Sequence, residues 1–233
     1  MKNIVAIVPV RGGSQRVKDK NIRPFNETTL LDIKLETLKK VSGINRIIVS
    51  SDDSRLLDIA KNHDVEIHER EKYFASDECT NSEFFSNLAD VLQDYDNVMY
   101  SPVTCPLISV DTYRSAIGRF QEFNNLVSVK MVKHHLWLDN KPLNYDVKNS
   151  PNSQDLPNIM QITYGISLIS RELMSEYKNI VSDSPEFYIL DEIESMDIDT
   201  MLDFRLAEYL HMKLNKKCCG GRSSNCACKR KLQ

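Results

Sequence analysis

The stretch that most limits how this chain can fold is Ile4-Val5-Ala6-Ile7-Val8-Pro9-Val10, an apolar run of strand length. It has no polar alternation. Such a run suits a strand buried on both faces, at the centre of a parallel sheet. It stops at Arg11-Gly12-Gly13-Ser14-Gln15-Arg16-Val17-Lys18-Asp19-Lys20-Asn21-Ile22, a loop with two glycines and, counting Arg23, five cations. In open α/β sheets ligands bind at the carboxyl ends of the strands. Glycine lets backbone N–H groups approach phosphate oxygens, and Arg and Lys neutralise them. A polyphosphate loop is therefore expected here. It is neither a G-x-x-x-x-G-K-[ST] nor a G-x-G-x-x-G pattern.

Charge supports a local reading of that loop. Net charge is −3 over 233 residues, but residues 213–233 carry seven Lys and Arg and no acid. The first 212 residues hold 23 basic and 33 acidic side chains, a net of −10. An acidic body argues against general nucleic-acid binding. No signal peptide is expected, since the first apolar run is short and lacks a cleavage site. No stretch nears the length of a membrane span. A cytoplasmic protein is the expectation. Hydrophobic content of 41% is enough for a real core.

Apolar spacing predicts a helix from Leu30 to Val41, capped by Thr28 or Thr29, and a strand Arg46–Ser50 ending in Asp52-Asp53. A helix around Leu56–Ala60 and a short strand at 65–67 follow. This β-α-β-α-β order reads as a doubly wound parallel sheet. Helices are expected at 83–93 and 111–123, with strands at 97–101 and 126–132. Residues 133–161 read as an excursion from the sheet. Strand is expected again over 189–198, and a last helix from Thr200 to Leu214 with Leu202, Leu206, Ala207 and Leu210 on one face.

Pro9-Val10-Arg11-Gly12-Gly13-Ser14, then Arg16 and Lys20-Asn21-Ile22, resembles the opening signature of the cytidylyltransferases that activate acylneuraminates. Val49-Ser50-Ser51-Asp52, Arg70 and Ala75-Ser76-Asp77 continue the likeness. So does Ser195-Met196-Asp197-Ile198-Asp199-Thr200 with Asp203-Phe204 and Ala207-Glu208. The match departs at Gln15, where that family commonly has Lys. It departs again at Pro102, Cys105 and Ile108, where the family has Gln, Ser and Arg, and at Tyr164 and Gln161, near a usual Asn and Arg.

The resemblance implies an α/β, Rossmann-like nucleotidyltransferase domain over 1–215, with a mostly parallel sheet and a dimerisation arm at 133–161. It implies a CTP-dependent enzyme moving CMP to an acidic sugar, with pyrophosphate released, and a homodimer. Arg11 and Lys20 would act on the triphosphate. Gly12, Gly13, Ser14, Arg16, Asn21, Arg70, Thr80 and Asn81 would bind nucleotide. Asp197 and Asp199 would hold Mg²⁺. Spacing alone puts both carboxylates on one side of an extended chain, but Asp199 could equally cap the last helix. A related enzyme with a phosphonate or phosphorylated acceptor, and a non-catalytic nucleotide-binding module, are the alternatives.

Other residues have simpler readings. Asp52 and Asp53 could be helix caps or site residues. His134 and His135 are adjacent, so on a strand they face apart and share no metal. Cys105 reads as a small buried side chain. Cys218, Cys219, Cys226 and Cys228 crowd the basic tail, 216–233. A disordered tail is expected, with zinc binding or an acylated basic patch as alternatives.

Overall fold

The computed structural model describes residues 2–219, with side chains as far as Asn215. Strand β1 (Ile4–Pro9) lies inside a seven-stranded sheet, third from one edge. It pairs in parallel with β2 (Arg46–Ser51) on one side and β4 (Asn97–Tyr100) on the other. Strand β3 (Glu66–Glu69) extends the first side. Beyond β4 come β8 (Ile159–Ser170), β5 (Asn125–Val132) and β9 (Glu186–Ile189), so the order is β3-β2-β1-β4-β8-β5-β9. β8 runs antiparallel to both neighbours, and the other pairings of the sheet are parallel.

The apolar run of β1 is buried on both faces as expected. Ile4, Ala6 and Val8 join a core with α1 (Leu30–Leu38), α2 (Ser54–Asn62), α4 (Val110–Phe120) and α6 (Met201–Cys219). Val5 and Ile7 face α3 (Asn81–Val91) and α5 (Arg171–Tyr177). Thr29 is the cap of α1, in a reciprocal box with Asp32. Asp53 caps α2, accepting from the Arg55 N–H at 2.9 Å. Thr80 caps α3 with Glu83.

Three expectations are corrected. Residues 159–170 form the long strand β8, whose alternation is broken by a register shift opposite Val127 and Val129. Tyr164 there takes φ +56, a left-handed conformation that Asn adopts more readily than an aromatic residue. The strand expected over 189–198 ends at Ile189. Asp191 turns the chain, accepting from the N–H groups of Ile193 at 2.9 Å and Glu194 at 2.7 Å, so the buried Leu190 and Ile198 belong to a folded loop. Finally, α6 buries Phe204 and Ala207 but leaves Leu202 and Leu206 exposed. It also runs to Cys219, past the expected end at Leu214; residues 220–233, the rest of the expected tail, lie outside the described residues.

Residues 133–158 leave the sheet and include a small hairpin, β6 (Trp137–Leu138) with β7 (Lys141–Pro142). Beneath the turn that follows β4, the Lys34 ammonium lies in the core, 1% exposed, donating to the Cys105 carbonyl at 3.0 Å and to the Tyr113 hydroxyl at 2.6 Å. That turn also packs on Gly165, where an added Cβ would stand 2.7 Å from Ile108 Cδ1 and 3.4 Å from Cys105 Sγ. Gly165→Ala is expected to destabilise by about 1–3 kcal/mol through overpacking. Ile108→Val removes that methyl and should cost about 1 kcal/mol alone. The double variant should lose clearly less than the sum of the two in urea unfolding. Additivity within about 0.3 kcal/mol would show that the two side chains do not share this contact.

Candidate active site

The carboxyl ends of β1, β2 and β4 meet at one edge of the sheet, and the loop after β1 folds across them. Val17, 1% exposed, anchors this loop in the core. Gly12 N–H donates to Asp52 Oδ1 at 3.1 Å, and Asn21 Nδ2 donates to the Arg11 carbonyl at 2.9 Å. Gly12 sits so close to α2 that an added Cβ would come 2.8 Å from Asp53 Oδ2. Gly13 takes φ +65, which glycine adopts without strain. Asp52 thus holds the loop while Asp53 caps the helix. The two readings of this acidic pair divide between its members.

Three of the five loop cations turn toward the cleft. Arg11, Arg16 and Lys20, with Ser14, Gln15 and Asn21, line a cavity of about 290 Å³ closed by Tyr100, Pro102, Val103, Thr104, Asp197 and Asp199. Lys18 is exposed outside it, and Arg23 lies 5.7 Å from the centroid of the Phe204 ring. Asn21 is 7% exposed and its Oδ1 is buried without a hydrogen-bond partner among the described residues.

The aspartate pair ends no strand. Ile198 is fully buried between Asp197 and Asp199, and both carboxylates reach the cavity. Ile198 N–H donates to the Thr104 carbonyl at 2.9 Å, and Lys20 Nζ donates to the Ile198 carbonyl at 2.6 Å. Arg16 pairs with Asp199 at 2.8 Å. The α6 cap is Thr200 with Asp203: the Thr200 N–H and hydroxyl donate to Asp203 Oδ2 at 2.7 and 2.8 Å. Those bonds hold the Asp203 carboxyl below its usual range. Asp199 is therefore not the cap. Burial lowers the Lys20 ammonium below its ordinary value, against the opposing pull of Asp197 and Asp199.

A second cavity, about 370 Å³, shares Pro9, Val10, Arg11 and Tyr100 with the first. Its other walls are Arg70, Phe74, Ala75, Ser76, Asp77, Cys79, Asn81 and Phe84. Arg11 stands between the two cavities, with Nη1 donating to the Ala75 carbonyl at 3.1 Å and to Asp77 at 2.8 Å. Arg70 is 6% exposed and is used internally: Nε meets Ser50 Oγ at 3.1 Å, and Nη2 meets the Val10 carbonyl at 3.0 Å. It supports the strand end as well as walling the cavity. Thr80, expected at the nucleotide, spends its hydroxyl on the cap of α3, donating to Glu83 at 2.7 Å. Asp77, Tyr100, Phe74 and Phe84 were not singled out as site residues from sequence. Asp77 stands within a quoted motif; the aromatic residues had no local signal.

A third cavity of about 570 Å³ lies past the ends of β5 and β9, lined by Lys130, His134, Gln161, Asp191 and Ser195 among others. The 191–199 segment runs from its rim to the aspartate pair. Cys105, fully buried, lies 3.9 Å from Asp197; burial pushes its thiol up to about 12, as an inert small side chain requires. His135 meets the Pro151 carbonyl at 3.1 Å, away from the cavity that His134 lines.

Two adjoining cavities, one cationic with paired carboxylates and one with aromatic walls, suit a nucleoside triphosphate. Comparison with known proteins agrees. The chain is 24% identical over 92% of its length, and 97% of the relative's, to post-translational flagellin modification protein B of Campylobacter coli. It is 24% identical to pseudaminic acid cytidylyltransferase of Campylobacter jejuni, over 91% of this chain and 97% of that one. Among solved structures, a CMP:2-keto-3-deoxy-manno-octonic acid synthetase complexed with CTP superposes with a TM-score of 0.67 over 91% of this chain and 99% of that one, at 12% identity. The family model for cytidylyltransferase matches residues 5–136, more than half of the sequence, and the chain belongs to that family.

Proposed function

We propose that this cytidylyltransferase moves CMP from CTP to an acidic sugar of the nonulosonic acid type and releases pyrophosphate. The observation that carries this reading is the meeting of Arg11, Arg16 and Lys20 with Asp197 and Asp199 around one cavity. The pseudaminic acid cytidylyltransferase likeness, along nearly the whole chain, supports the acceptor class.

In the reaction an acceptor hydroxyl oxygen bonds to the α-phosphorus, and the bond from that phosphorus to the pyrophosphate oxygen breaks. The hydroxyl proton leaves to solvent. Arg11, Arg16 and Lys20 neutralise the triphosphate, and Gly13 and Ser14 offer backbone donors. Gly12's own N–H is spent on Asp52. The cytidine occupies the aromatic cavity, beside Asn81 and over Arg70. Catalysis is then positioning and charge neutralisation.

Asp197 and Asp199 fit a hard divalent cation such as Mg²⁺. They are two carboxylates on one cavity wall, and phosphate oxygens and water would complete the shell. When bound, such an ion stabilises charge on the transferring phosphoryl group. The third cavity offers Lys130 and His134 to an acceptor carboxylate. Trp137, Leu138, Leu143 and Val147, all exposed on the 133–158 excursion, suit the interface of a homodimer.

The test is pyrophosphate release from CTP with a panel of sugar acids, with phosphonates and other nucleotides as controls. Turnover confined to CTP and a nonulosonic acid is expected; turnover with phosphonates alone would replace the acceptor. Asp197→Asn and Asp199→Asn should each remove most turnover while leaving stability within about 1 kcal/mol of the parent, since Thr200 and Asp203 keep the cap. Full Mg²⁺-dependent activity in Asp199→Asn would exclude it as a ligand.

Arg11→Ala should lower kcat/KM for CTP by on the order of 10²-fold, as loss of a charge-assisted contact of ~2–3 kcal/mol implies. Unchanged kinetics would remove Arg11 from the site. Gly12→Ala should raise KM for CTP, because its Cβ would push Asp53 and displace the loop. A KM equal to the parent's would show that the loop accommodates the methyl.

A further inference from the structure

Helix α6 carries a second apolar stripe on the side away from the core. Leu202 is 76% exposed, Leu206 45% and Tyr209 51%. With Arg205 and Lys213, also exposed, these residues recur at i, i+3, i+4, i+7 and i+11, which is one helix face. Lys213 Nζ lies 5.4 Å from the centroid of the Tyr209 ring, so the apolar stripe grades into a cationic one. The face contains no carboxylate. Glu208 flanks it, meeting Arg205 at 3.2 Å and the Asn26 N–H at 2.9 Å.

Charge continues the pattern along the chain. Residues 213–233 hold seven Lys and Arg and no acid, and they include four cysteines. The first 212 residues have a net charge of −10. An anionic surface would repel that body and attract this one end. Among the described residues, none that lines the two adjoining cavities lies on the outer face of α6. Helices with Leu and aromatic residues beside Lys and Arg lie in the interface of anionic bilayers, and nearby basic residues strengthen the attachment.

We propose that the outer face of α6 docks the protein on an anionic lipid surface, with the positive charge of residues 213–233 adding to the attraction. The apolar residues enter the headgroup boundary and the cations meet lipid phosphates and carboxylates. The helix starts two residues after Asp199, so docking holds the catalytic end of the sheet near that surface.

The test is sedimentation of the full chain, kept reduced, with lipid vesicles. Partitioning onto phosphatidylcholine vesicles with about 30% phosphatidylserine should exceed that onto pure phosphatidylcholine by at least about tenfold, and should fall steeply between about 100 and 500 mM salt. Leu202→Asp with Leu206→Asp should abolish it while CTP turnover stays within about twofold of the parent, as exposed positions allow. Leu202→Asp alone, at the most exposed position, serves if the double variant does not fold. Replacing Lys229, Arg230 and Lys231 by Ala should weaken binding without touching α6. Equal binding to both vesicle types would overturn the proposal, as would undiminished binding by the Leu202 variants. So would retention of RNA without vesicle binding, or a change in oligomeric state as the sole effect of the Leu202 variants.

Discussion

The cleft depends on how one buried residue, Ile198, is held. Its N–H reaches the Thr104 carbonyl at 2.9 Å, and its carbonyl receives the Lys20 ammonium at 2.6 Å. One bond ties it to the turn after β4, the other to the loop after β1. Its side chain is fully buried. Both flanking carboxylates are thereby aimed without using their own oxygens in the anchoring. The arrangement costs something, since desolvation disfavours the charged form of Lys20. Asp197 and Asp199 offset that cost through their charge. Lys20 is a strut and a cation at once, so substituting it removes two functions together.

The arginines are held differently. Arg11 pairs with Asp77 and Arg16 with Asp199, both at 2.8 Å, but Asp77 is 79% exposed and Arg16 72%. Exposed pairs of this kind contribute about 0–1 kcal/mol. Charge-assisted bonds to phosphate are stronger, roughly twice a neutral bond. A triphosphate can therefore compete for both guanidiniums with little loss of stability. The buried Arg70 is the contrast. Its bonds to Ser50 and Val10 lie out of water, where removing one partner strands the other. Burial lowers even its guanidinium below its ordinary value. It belongs to the scaffold of the strand ends as much as to the cavity wall.

What the sequence made legible follows from how local each signal is. The β1 run and the caps at Thr29 and Asp53 depend on residues close in sequence, and short spacing reveals them. β8 was hidden because its pairing shifts at Val127 and Val129 and its backbone turns over at Tyr164, so strict alternation fails. The buried Leu190 and Ile198 imitated a strand because a loop folded on Asp191 hides apolar side chains just as a sheet does. In the site, Arg11, Arg16, Lys20 and the aspartates carried a motif. Whether Arg11 faces Asp77, or Lys20 reaches Ile198 across 178 residues, depends on topology that no window contains.

The turn at 102–108 departs from the resembled motif in its chemistry. At three of its positions the resembled family carries Gln, Ser and Arg, and this chain carries Pro102, Cys105 and Ile108. Cys105 and Ile108 are buried, at 1% and 3% exposure, against Gly165. They fill space between β8 and the turn. The polar partner of the turn comes instead from behind, where the Lys34 ammonium grips the Cys105 carbonyl and Tyr113 links Lys34 to Ser101 Oγ at 2.7 Å. A buried cation with neutral partners is costly to desolvate and strongly oriented by them. It fixes the carbonyl next to Thr104, the residue that holds Ile198. The geometry of the aspartate pair is thus supported by a charge on α1, a helix that does not itself line the cleft.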